Sequence, residues 1–137
     1  MTKTIAEIEI LLQLHGAEAT MREYESGHIK AIAFKHEGIS FQLPARVEAL
    51  YQYLIQARQQ RPGFVDQAMK IRLHDQAERC AWRNVMYWIK AQLAIVEIGM
   101  VTVTEVFLPY MLVGGNETLY DRMLTRGLTA LPKFTSN

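Results

Sequence analysis

Residues 65–98, bounded by the breaker Arg61-Pro62-Gly63 and by Gly99, read as one helix about 50 Å long at 1.5 Å per residue. That exceeds the usual core of a small domain. The helix is therefore expected to kink or to overhang, and an overhang would serve as a homodimer contact. Its charge pattern is unusual. Arg72, Arg79, Arg83 and Lys90 follow one another at steps of 7, 4 and 7, so they project within about 20° of one direction. Trp82, Val85, Ile89, Leu93 and Val96 lie to one side of that line, and Leu73, Cys80, Trp88, Ala91, Ile95 and Ile98 to the other. A helix apolar over most of its circumference is buried, so the cationic line is where this one should meet water or a partner.

The chain around that helix is long enough for one domain. At 137 residues, half of them apolar and a fifth charged, it buries most of its surface without covalent staples. A single cysteine excludes an internal disulfide framework and a cysteine-based zinc cage, and suits a reducing compartment. The polar start of the chain does not resemble a secretion signal, and no apolar run reaches the ~18 residues of a membrane span. A soluble, cytoplasmic protein without membrane association is the expectation. The net charge of +1 conceals a gradient: −2 over residues 1–45, +4 over 46–90 and −1 over 91–137. Attraction to phosphate or to an acidic protein would act in the middle of the chain. An excess of four is modest beside dedicated nucleic-acid binders.

Before the long helix, Thr4 and Glu7 have capping-box spacing and Ile5, Ile8, Leu11 and Leu12 repeat at helical intervals, giving a helix over 5–15 with Gly16 as its exit. Three short strands follow, 17–25, 28–36 and 39–43, separated by Ser26-Gly27 and Glu37-Gly38. Ile32 and Phe34 oppose Ala31 and Ala33 across the second strand. In the third, Ile39, Phe41 and Leu43 are expected inward, Ser40 and Gln42 outward. Turns this short make an antiparallel meander, whose apolar face needs helices over it. Val47, Leu50, Tyr51, Leu54 and Ile55 mark a helix over roughly 45–60. After Gly99, Thr102 and Glu105 form another capping box, opening a helix with Val106, Phe107 and Met111 on its apolar face and limited by Pro109. Gly114-Gly115 is a turn, and Leu119, Tyr120, Met123 and Leu124 mark a last helix ending at Gly127. The expected fold is a single α+β domain over 1–137: an N-terminal helix and a three-stranded antiparallel meander, packed on a bundle of helices that includes one long central helix.

Catalytic and metal signatures are missing. His28 and His36 bracket a strand and stand about 26 Å apart at ~3.3 Å per residue. His15 and His74 each lack a second histidine at the one-turn spacing of zinc-binding pairs. Cys80 lies mid-helix with no histidine within a turn to act as a base, and reads as core filler. The chain has no nucleophile elbow, P-loop or dinucleotide fingerprint. No metal, no cofactor and no enzymatic activity are expected. Trp82 and Trp88, about 120° apart on the helix, read as core tryptophans rather than a stacking platform.

The cationic line remains. Guanidinium forks about 6 to 10 Å apart along a helix can follow a phosphate backbone or lock onto carboxylates of a partner. Tyr87, near the edge of the line, could stack on a base or fill an interface pocket, and Arg58 and Arg61 at the preceding helix end could extend the patch. The alternative is a solvated helix face whose cations pair with neighbouring acids.

Ala81-Trp82-Arg83, Ile89-Lys90-Ala91, Leu93, Val96-Glu97 and Gly99, followed by Thr102, Glu105 and Phe107-Leu108, form a pattern spanning much of the chain. Ahead of it lies a helix and a meander ending in Phe41-Gln42-Leu43-Pro44. The whole resembles a recurrent arrangement in small, uncharacterised phage and prophage proteins, from which this chain departs in its weaker first strand. The resemblance implies phage origin, action in the cytoplasm of a bacterial host, and work by binding. The expected partner is a host or phage protein of nucleic-acid metabolism or defence, as for an anti-CRISPR-like inhibitor. The alternative is direct DNA binding in phage replication or recombination.

Overall fold

Two tight turns fix the sheet. Ser26-Gly27 (φ 52° and 81°) and Glu37-Gly38 (φ 50° and 79°) place both central residues in the left-handed region, as type I′ hairpins require. They join β1 (Ala19–Glu25), β2 (His28–His36) and β3 (Ile39–Pro44) in the order β1-β2-β3, antiparallel throughout. The register sets Phe34 opposite Phe41 and Ile32 opposite Leu43, so the apolar side chains share one face. The computed structural model describes residues 1–127. Its remaining elements are α1 (Thr2–Leu14), α2 (Val47–Gln59), α3 (Gln67–Glu97), α4 (Val103–Phe107), a 3-10 turn (Leu108–Tyr110), β4 (Leu112–Gly114), β5 (Glu117–Thr118) and α5 (Leu119–Arg126). The α+β architecture is as the sequence implies.

The core gathers Ile5, Ile8 and Leu12 of α1, Ile32, Phe34, Phe41 and Leu43 of the sheet, Trp82, Ile89 and Leu93 of α3, and Phe107 of α4. Phe34 stacks on Phe41 with centroids 5.0 Å apart, and Phe107 meets Phe34 edge-on at 5.6 Å. Both tryptophans belong to this core as expected. Trp82 is fully buried, and Trp88 is half-buried against Phe107 and Tyr110 at 5.4 and 5.5 Å. Arg22 on β1 donates to both carboxylate oxygens of Glu9 on α1 at 2.7–3.3 Å, tying helix to sheet. That hydrogen bond raises the Arg22 pKa above its ordinary value.

Several local expectations are corrected. α1 starts at Thr2 with Met1 at its N-cap and no side-chain cap, so Thr4 and Glu7 form no capping box. Met1 packs on the core and accepts from the Ile5 amide at 3.0 Å, which draws the helix start upstream of Thr4. Gln42 is buried rather than outward. The second face of the sheet is itself covered, for Leu112, Gly115 and Asn116 share a groove with Met21, Ala33 and Ser40, and Thr118 and Tyr120 another with Ala31 and Gln42. The alanines leave the room for that second layer. Pro109 ends α4 sooner than expected, and Met111 joins no helical face but bridges to Phe41. The Gly114-Gly115 turn lies in a β4-β5 hairpin whose strands are too short to show periodicity. The pattern-free tail past Gly127 lies outside the described residues.

Candidate binding face on the long helix

α3 runs uninterrupted for 31 residues, about 46 Å. Asp66 starts it by accepting from the Met69 amide at 2.8 Å. Gly99, at φ 83°, ends it: the Met100 and Gly99 amides donate to Ile95 and Val96. Such a left-handed exit is natural to glycine.

The helix is less submerged than its composition suggests. Seven of its residues are buried: Ala77, Glu78, Ala81, Trp82, Met86, Ile89 and Leu93. The arc through Trp82, Ile89 and Leu93 meets the core as expected. Of the opposite arc, Leu73, Cys80, Trp88 and Ile95 are only half-buried, and Ala91 and Ile98 are exposed. α1 and α2 both run against α3, and Trp88 of the opposite arc meets Phe107 and Tyr110, so that arc is covered less completely rather than left bare.

Arg72, Arg79, Arg83 and Lys90 are all exposed. Among the described residues, none has a carboxylate within 4.0 Å; the ion pairs formed lie elsewhere. The internal pairs expected of a solvated face are therefore absent among the described residues, while the exposure itself is common to a solvated face and a binding face. Tyr87 is 56% exposed beside Arg83 and Lys90. The four cations span about 27 Å of unbroken helix.

The two outlying arginines behave differently. Arg58, near the end of α2, is half-buried and reaches the carbonyls of Arg61 and Pro62 at 3.5 and 3.4 Å, so it closes the turn between α2 and α3. It also lines a groove of about 410 Å³ with Met69, Arg72, Leu73, Asp75, Gln76 and Arg79. Arg61 is exposed in that turn and does not line the groove.

A second polar cluster escapes sequence reading. Glu78, buried on α3, accepts from Nδ1 of His28 at 3.0 Å. The His28 ring meets His74 edge-on at 5.9 Å, and His74 lies 3.9 Å from Glu48 and against Tyr51 at 5.2 Å. His28, Glu48, His74 and Glu78 border a cleft of about 550 Å³ that also includes Lys30 and Arg46. One signal was available: Glu78 stands one turn before Trp82 on the buried face, and a carboxylate there needs a partner. Its hydrogen bond orients the His28 ring through Nδ1, and among the described residues Nε2 has no hydrogen-bond partner. Among the described residues, no three His, Cys, Asp or Glu side chains gather to hold a metal ion. No described helix is long and apolar enough to cross a membrane.

Comparison with protein-family models, with curated proteins and with solved structures finds no match to this chain.

Proposed function

We propose that this chain is a non-enzymatic binding protein of phage origin. Acting in the cytoplasm of a bacterial host, it engages a host or phage protein of nucleic-acid metabolism through the cationic face of α3. Inhibition of a host defence system is the role that suits such binding. One observation carries the reading: Arg72, Arg79, Arg83 and Lys90 are exposed, aligned and without an ion pair among the described residues. Four like charges along one face repel one another, and an anionic partner relieves that repulsion. The modest net charge of +1 favours a protein partner over bulk nucleic acid. The phage origin is supported by the sequence resemblance alone.

A second reading is direct DNA binding, favoured by Tyr87, which is exposed between Arg83 and Lys90 where a base could stack. Salt separates the two. Neutralising four phosphates gives a log–log slope of affinity against salt near about −3 to −4. Such a slope for a labelled DNA oligonucleotide, lost in an Arg79→Glu/Arg83→Glu variant, establishes the DNA reading. DNA binding that is absent, or indifferent to those substitutions, removes it.

A further inference from the structure

The cationic line is not uniform. Arg72 and Arg79 line a groove between α2 and α3, whereas Arg83, Tyr87 and Lys90 stand outside it. The groove has three guanidinium groups, those of Arg58, Arg72 and Arg79, against the one carboxylate of Asp75. Its other lining is half-buried Met69 and Leu73 with Gln76. Asp75 does not come within 4.0 Å of any of the three guanidinium groups, so these are not neutralised from inside.

We propose that this groove is the anchor site for an acidic peptide segment of a protein partner, resting on the reading of α3 as a binding face. Two carboxylates take the forks of Arg72 and Arg79, which are about 10 Å apart along the helix. An aliphatic side chain of the same segment settles on Met69 and Leu73. A recess of about 410 Å³ admits a few side chains and is too confined for a duplex, whose phosphates would reach the open cations first. Arginine is among the residues that most often dominate binding energy, and Arg72 and Arg79 flank the apolar lining of Met69 and Leu73. Arg58, whose guanidinium also reaches the turn carbonyls, adds its charge to the groove.

Fluorescence polarisation tests this with a labelled peptide of leucine and glutamate, its glutamine counterpart, and a labelled single-stranded thymidine oligonucleotide. The acidic peptide binds the full chain and the glutamine peptide does not. Arg72→Ala and Arg79→Ala each weaken binding about tenfold, as expected for losing a charge-assisted hydrogen bond. Arg83→Ala and Lys90→Ala change binding of this short peptide less than about twofold, since both stand outside the groove and would meet the rest of the partner. Asp75→Asn tightens binding, a change that a purely structural role for the groove would not produce. Equal losses from all four cations overturn the anchor site and leave α3 as a binding face. Oligonucleotide binding without peptide binding also overturns it, in favour of the DNA reading. If neither probe binds, the anchor site falls; the reading beneath it falls separately, if capture from host lysate retains the same proteins on the chain and on its Arg79→Glu/Arg83→Glu variant.

Discussion

Glu78 and Arg79 are consecutive on α3 and meet opposite surroundings. The Glu78 carboxylate is buried and accepts from His28 at 3.0 Å, while Arg79 is exposed in the groove beside α2, with no carboxylate within 4.0 Å among the described residues. One step of about 100° around the helix separates the face that holds the fold together from the face available to a partner.

The inner residue of that pair is structural. His28→Ala leaves a buried carboxylate without its partner and should cost about 1–3 kcal/mol. Glu78→Gln keeps a hydrogen-bonding group against the ring and should cost less. Urea unfolding of both variants checks the order, and equal losses would mean that the charge rather than the contact matters.

Core packing centres on Trp82, which is fully buried. Trp82→Ala should destabilise the chain by about 3–5 kcal/mol. Trp88→Ala, at a half-buried site, should cost clearly less. Thermal unfolding of the two variants side by side gives the comparison.

Capping is local and separable. Thr118 accepts from the Asp121 amide while Asp121 accepts from the Thr118 amide, both at 3.2 Å. Thr118→Ala should cost about 1 kcal/mol and raise amide exchange in α5 while α3 stays protected. Faster exchange spread evenly over the chain would show instead that α5 and the core open together.

Much of this structure is legible in the residues. Ser26-Gly27 and Glu37-Gly38 announce hairpins because few residues accept two successive left-handed conformations. The cations of α3 are placed correctly because 3.6-residue periodicity survives burial. What stays hidden depends on contacts between distant segments. His28 and Glu78 are 50 residues apart and meet only because the meander's first turn lands beside α2 and α3. Gln42 reads as outward until the C-terminal hairpin covers its face. Thr4 and Glu7 have capping spacing, but Met1 reaches the core and starts the helix earlier. The groove beside Arg58 is likewise invisible, since the register between α2 and α3 is fixed by packing and not by either helix alone.

We propose that the exposed cations of α3 make the contact with the partner. Paired affinity capture from an infected bacterial host, using the full chain and its Arg79→Glu/Arg83→Glu variant at matched expression, addresses it directly. The expected result is a specific protein retained by the original chain and absent from the variant, whose unfolding transition is unchanged. Recovery of that same protein in equal amounts by both chains would contradict it.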